Sequence, residues 1–533
     1  MSIVPDPIRA GLAKGWKVID ASTLTIDRSL SADVVIVGSG AGGGVTAEIL
    51  AKAGLDVIIV EEGALKSSSD FKMRESEAYP ALYQESAARK TRDKGINILQ
   101  GRTVGGSTTV NWTSSFRTPP ATLDWWRRHH ALPGMTPEAL APWFAMMEAR
   151  LQIADWPGAP NENNDVLRRG ATKLGIATGL IRRNVNGCWN LGYCGMGCPT
   201  NAKQSMLVTT IPAALGHGAT LLTRARAERF SIQGGRAGDL TCHALDAAGV
   251  HTTGRTVTLR ARHFVVAGGA INSPALLLRS NAPDPGGLLG KRTFLHPTVI
   301  SAAFFPQRVE AWQGAPQTVY SDHFLQGAPS GPIGYKLEAP PLHPLLLATT
   351  MSGFGAQHAQ MMREFPHLQG MLALLRDGFH EDAPGGTVRL RSDGSPELDY
   401  PLGDYLWDGA RRALLTMAEI QFAAGAKEVL PAHEMARRYR SWPEARAAIA
   451  ALPQGLQRTR VASAHVMGGC AMSDDEKLGV TTPDGRYRGL DNVSVHDGSL
   501  FPTSLGANPQ LSIYGLVAKL ASGLATSLTE ARA

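Results

Sequence analysis

Several residues in this chain carry side chains suited to proton or redox chemistry at informative spacings. His465 precedes a Met-Gly-Gly turn, so it sits on a loop able to reach a bound molecule. Imidazole titrates at about 6.5, close to working pH, which makes His465 the leading general-base candidate. Asn508 stands directly before Pro509 ahead of a long apolar run. Asn then Pro is an ordinary helix start, with Asn as N-cap and Pro in the first turn. The same amide could orient a substrate oxygen, and the helix start aims a positive dipole end at whatever binds there. Glu338 lies in KLEAPPLHP. A carboxyl in apolar surroundings has a raised pKa and can exchange a proton near neutrality. His296 and His343 read as structural.

These groups need a frame, and the N-terminal region supplies its first part. The run DVVIV leads into Gly38-Ser39-Gly40-Ala41-Gly42-Gly43, then a helical segment, then DVIIV ending at Glu61. That is a βαβ unit with G-x-G-x-x-G at its first turn. Gly38 permits the tight turn, Gly40 the approach of a pyrophosphate, and Gly43 close helix–strand packing. Glu61 is placed to bond ribose hydroxyls. Residues 219–267 read as a β-meander whose first strand is ATLLTRARAERF. Helices are expected near 404–425 and 443–451, with a long final helix over 511–530. Glycine turns return after 456. The chain therefore reads as a discontinuous dinucleotide-binding domain, 1–297 and 456–533, with part of 119–200 covering the cofactor. A second domain, 298–455, is inserted into it.

With 533 residues, more than one core is expected. Charged residues make up 19% and hydrophobic residues 43%, a globular composition. The net charge of +7 is scattered rather than blocked, and no aromatic–basic module accompanies it, which argues against nucleic-acid binding. Peripheral contact with an anionic membrane stays open. No run of about 18 uncharged apolar residues appears, and the N-terminus lacks a secretory pattern. The expected location is the cytoplasm, with peripheral contact at the inner membrane as the variant.

Three further segments resemble a known family. GRTVGGSTTVNWTSSFRT at 101–118 looks like the first signature of the glucose–methanol–choline (GMC) oxidoreductases, FAD-dependent alcohol oxidases and dehydrogenases. GGAINSPALLLRSN at 268–281 is similar to the second signature, with Asn281 in place of the usual Gly. The block from His465 to Tyr514 resembles the C-terminal one. VNWTSSFRTP, CGMGCPTNAKQS and EAPPLHPLLLAT look most like long-chain fatty alcohol oxidases. The His465/Asn508 pair, and Glu338 in the place of a carboxylate base, look like cholesterol oxidases.

The resemblance implies an α/β Rossmann-like FAD-binding domain with an inserted α+β substrate domain built on an antiparallel sheet. It implies FAD lined by Gly105, Gly106, Ser107, Asn111, Asp497 and Pro509. In some members a His before the signature Asn binds the flavin covalently. Val110 occupies that position here and has no nucleophilic atom, so non-covalent FAD is expected. The implied reaction oxidises a long-chain or bulky apolar alcohol to an aldehyde or ketone by hydride transfer to flavin. His465 is the leading base, Glu338 the second base candidate, and Asn508 holds the oxygen. Oxygen, a quinone or a cytochrome would take the electrons. The alternatives are a NAD-linked dehydrogenase, or a non-oxidising flavoenzyme of the family such as a lyase or decarboxylase. Cys188, Cys194 and Cys198 match no standard cluster spacing and show no fourth ligand, so thiols packed in a loop and no metal are the expectation, with an iron–sulfur cluster or a disulfide as the alternatives.

Overall fold

A computed structural model describes residues 4–325 and 331–531; residues 326–330, within the expected second domain, and the extreme ends lie outside the described residues. Two eight-stranded sheets organise the chain. The first runs Lys17–Asp20, Thr220–Thr223, Val57–Val60, Arg28–Val37, Thr252–Val266, Arg236–Leu245 and Ala225–Gln233, with Val493–Val495 paired to Thr252–Val266. Its core pairings are parallel, and its last two strands run antiparallel. Parallel strands covered on both faces are apolar along their length, and Val34, Val35, Ile36 and Val57–Val60 are all buried. The glycine turn ends Arg28–Val37 and opens helix Ala41–Lys52, as the βαβ reading required.

The meander differs from its expected form at one point. ATLLTRARAERF is two strands, Thr220–Thr223 and Ala225–Gln233, broken at Arg224, whose φ is +51°. The first piece joins the parallel sheet between Lys17–Asp20 and Val57–Val60. A β-propensity reading sees one apolar run and misses the left-handed residue that redirects it.

The second sheet runs Ile96–Ile98, Val461–Ser463, Thr298–Phe304, Leu368–Leu375, Tyr335–Glu338, Val319–Ser321 and Gly179–Leu180, with Glu428–Pro431 also on Thr298–Phe304. It is antiparallel except where Val461–Ser463 meets Ile96–Ile98. Three of its strands come from outside residues 298–455, so this sheet is built partly from the segments expected in the first domain. Helix Asp404–Ala423 packs on this sheet.

Register decides what this sheet presents. Ile300 pairs with Leu372, which pairs with Glu338; Thr298 pairs with Leu374, which pairs with Lys336. Residues directly opposite share a face. Thr298, Ile300, Leu372, Leu374, Lys336 and Glu338 therefore project from one side. The final helix, Gln510–Glu530, packs against Ala41–Lys52 and Pro137–Arg150. Its length and mean hydropathy of 1.3 would suit a membrane span, but 61% of its apolar window is buried in the protein core.

Candidate active site

A cavity of about 1110 Å³ runs along the junction of the two sheets. Ligand pockets usually measure roughly 300–1,000 Å³, so this one has room for a cofactor and a further molecule. Gly38, Gly40, Glu61, Gly106, Ser107, Asn111, Asp497, Asn508, Pro509 and His465 all line it. Gly43, Gly105 and Glu338 do not.

The glycine turn forms one end. Gly38 has φ +106°, and a Cβ there would fall 2.3 Å from the Ala267 carbonyl oxygen. Gly42, passed over in the motif, is the tighter position: a Cβ would lie 1.6 Å from the His496 carbonyl oxygen. A Cβ on Gly43 would meet the Gly38 carbonyl oxygen, which is the helix–strand approach expected. Helix Ala41–Lys52 begins at Gly40 without a side-chain cap, so its first N–H groups are available to a phosphate. The buried Glu61 carboxylate accepts from the Ser39 hydroxyl at 2.6 Å and from Gly63 N–H at 2.8 Å. Burial raises its pKa, and those hydrogen bonds pull it back. Gly105 acts from behind, its N–H donating to Ser39 Oγ at 3.0 Å. Asp497 accepts from Gly269 N–H and the Ser273 hydroxyl on one oxygen, and from Ser499 on the other. It thereby fastens the second signature segment to the C-terminal block.

The middle of the cavity is set by residues the motif reading left out. Asn111 Nδ2 donates to Gln510 Oε1 at 2.6 Å, and Gln510 Nε2 donates to the Ser114 carbonyl at 2.9 Å. Lys203, buried, donates to the carbonyls of Thr109, Asn111 and Cys194. The only sequence signal for either was position: Gln510 follows Asn-Pro, and Lys203 lies within CPTNAKQS. Val110 is buried and lines the cavity. Cys188, Cys194 and Cys198 are free thiols, and no three metal-ligating side chains come together among the described residues.

At the inner wall, Asn508 Nδ2 donates to Glu338 Oε2 at 3.3 Å. The expected helix start is corrected here. Helix Gln510–Glu530 begins after Pro509, which occupies the N-cap position with no side-chain cap. The Asn508 amide is committed to a carboxylate and not to backbone N–H groups. Its Oδ1, and Glu338 Oε1, are buried without a partner. Burial pushes the Glu338 carboxyl up, to about 7, against the opposing pull of Lys336 and the Asn508 hydrogen bond. Lys336 Nζ lies 3.9 Å from the Phe116 ring centre and 3.8 Å from that of Tyr320.

His465 borders the cavity. Enclosure by protein pushes its pKa down to about 4, which makes it a weaker proton acceptor than its residue type suggested. His296, read as structural from sequence, reaches this ring: the two Nδ1 atoms are 3.2 Å apart. The second nitrogen of His296 accepts from Gly506 N–H at 2.9 Å.

The N-terminal and C-terminal models of the GMC oxidoreductase family match residues 79–298 and 382–516, and an FAD-binding domain matches 33–93. An uncharacterized GMC-type oxidoreductase of Sinorhizobium fredii is 30% identical over 517 residues, covering 96% of this chain and 98% of its own. The chain is a member of the GMC oxidoreductase family. It is an FAD-dependent oxidoreductase, and the NAD-linked alternative falls away. Arabidopsis thaliana long-chain-alcohol oxidase FAO1 is 27% identical, matched over 91% of this chain and 65% of that one. Among solved structures, formate oxidase of Aspergillus oryzae superposes with TM-score 0.67 at 16% identity, over 95% of this chain and 100% of that one. Pyridoxine 4-oxidase from Mesorbium loti gives 0.65 at 17%, over 92% and 98%. The glycine cradle, the uncapped helix start and the buried Glu61 fit the pyrophosphate and ribose of a dinucleotide such as FAD.

Proposed function

We propose that this GMC oxidoreductase oxidises an apolar alcohol to an aldehyde or ketone, at the cavity wall lined by Asn508 and His465, with Glu338 hydrogen-bonded to Asn508 behind it. The observation that carries the reading is a pair of buried acceptor oxygens, Glu338 Oε1 and Asn508 Oδ1, with no donor. An unmatched buried acceptor is costly, and a hydroxyl group supplies the missing donor. The neighbouring cavity wall is apolar, with Ile300, Leu342, Leu372, Leu374 and Met351 facing it, which favours a hydrocarbon chain behind that hydroxyl. The name of the long-chain-alcohol oxidase relative supports the same class.

Glu338 takes the hydroxyl proton. Burial raises the Glu338 carboxyl toward neutrality and lowers the His465 imidazole below its usual range, so the two shifts both favour Glu338 as the acceptor. Glu338 does not line the cavity and Asn508 does, so the proposed proton transfer requires the Asn508 amide to turn as the alcohol enters. His465 and Asn508 then hold the oxygen while the chain lies along the apolar wall. FAD, when bound, would supply the hydride acceptor, and Val110, which offers no attachment atom, supports non-covalent binding.

The test is anaerobic mixing of the FAD-loaded protein with a graded series of alcohols, with product analysis. Loss of the oxidised flavin band with a matching aldehyde or ketone is expected for long apolar alcohols. Substrate conversion with the flavin still oxidised at every stage would contradict the reading and favour the lyase or decarboxylase alternative.

A further inference from the structure

We infer that His296 is a positioning residue that fixes the ring tautomer of His465, so that His465 presents an N–H, not a lone pair, to the substrate oxygen. The argument rests on the alcohol-oxidation reading only for the identity of that oxygen; the tautomer itself follows from the hydrogen bonds.

A backbone N–H can only donate. Gly506 N–H points at His296 Nε2 at 2.9 Å, so that nitrogen carries a lone pair. His296 is 1% exposed and faces Arg376, Lys336 and His465, all of which disfavour a second charge; the ring is neutral. Its one proton is therefore on Nδ1. That atom lies 3.2 Å from His465 Nδ1, and a hydrogen bond between two nitrogens needs one proton. His296 donates and His465 Nδ1 accepts. Neutral His465 then carries its own proton on Nε2. The rings meet edge to face, 5.4 Å between centres at 80°, which suits donation from the rim of one ring into the plane of the other.

His296 is held too firmly to follow His465 through a tautomer change. Its backbone sits in the left-handed region at φ +45°. The Asp377 carboxylate accepts from the N–H groups of both Leu295 and His296, at 3.0 and 3.1 Å, and from the Tyr400 hydroxyl at 2.6 Å. Thr298 Oγ1 donates to the His296 carbonyl. Ser463 links the two histidine segments, donating to the Leu295 carbonyl and accepting from His465 N–H. Reversing the His465 proton would set His296 Nε2–H against Gly506 N–H, two donors facing each other. The lock removes His465 as acceptor of the hydroxyl proton and leaves it to polarise the oxygen.

The test is ¹⁵N–¹H correlation of histidine-labelled, FAD-loaded enzyme without substrate, with the His465 signals assigned by their loss in His465→Gln. The expected result is a protonated Nε2 and a bare Nδ1 on His465 throughout neutral pH, becoming a tautomer mixture in His296→Phe. A His465 protonated on Nδ1 in the unaltered enzyme would overturn the inference, whatever the fold of any variant. Activity provides the second arm. His296→Phe is expected to lower kcat roughly 10- to 100-fold with little change in KM, less than the roughly 10⁴-fold loss of a fully wrong tautomer, because His465 becomes a mixture. His296→Asn keeps a donor N–H near the Nδ1 position and should restore much of the rate. Equal rates for the Phe and Asn variants would contradict the lock. Because the NMR arm needs no substrate, failure of the alcohol reading would leave it readable.

Discussion

In the proposed reaction Glu338 takes the base role that the resemblance gave first to His465, while Asn508 keeps the oxygen-holding role it was expected to have. Glu338 is lifted by burial into the range where a carboxyl exchanges protons at neutral pH, while His465 is lowered out of it. A base works in its ionised form, so flavin reduction should speed up as pH rises through about 7. Glu338→Gln should abolish that rise and slow reduction by roughly 100-fold or more. Asn508→Ala removes a donor that favours the charged carboxylate, so it should move the rise to higher pH. Stopped-flow reduction measured across pH checks all three; a profile unchanged in Glu338→Gln would remove Glu338 from the role. His465→Ala should cost roughly 100- to 1,000-fold, as loss of one oxygen-directed donor does. His465→Gln, which keeps an N–H, should lose less, whereas a base would lose as much in either variant.

The elements show why some of this was readable in the sequence and some was not. The strand, glycine turn and helix at 28–52 are local, and both the apolar period and the turn residues are written in adjacent positions. Asn508 and Glu338 are 170 positions apart, and their hydrogen bond follows from how Gln510–Glu530 starts beneath Tyr335–Glu338. Asn-Pro looks the same in sequence whether the amide caps a helix or holds a carboxylate. His296 was set aside because FLHP carries no spacing signal; its contact with His465 depends on the sheet that joins Thr298–Phe304 to Val461–Ser463. At the helix start the structure makes a direct demand. Gly42→Ala would place a methyl 1.6 Å from the His496 carbonyl oxygen, and either the helix or that strand end must shift. The expected outcome is a protein purified with little bound FAD, read from the flavin-to-protein absorbance ratio. Full occupancy would show that the cradle tolerates the shift.

Across the whole molecule, the cofactor cradle belongs to the first sheet and the apolar wall to the second, and the cavity joins them. The strands that the second sheet takes from 96–98 and 461–463 hold the wall close to the first signature segment and to His465. Leu372 lies between Ile300 and Glu338 on the cavity-facing side. Leu372→Trp should narrow the cavity there and lower kcat/KM for long alcohols more than for short ones, since pocket volume discriminates by chain size. Equal losses along the series would show that the chain lies elsewhere. Removal of hydride from the alcohol carbon is the central step of the proposed reaction. The most direct measurement compares anaerobic flavin reduction by an apolar alcohol with reduction by the same alcohol deuterated at the carbinol carbon. Several-fold slower reduction with the deuterated alcohol, with one carbonyl product formed per flavin reduced, is the predicted result. Equal rates at saturating alcohol without a carbonyl product, or no reduction by any alcohol, would contradict it.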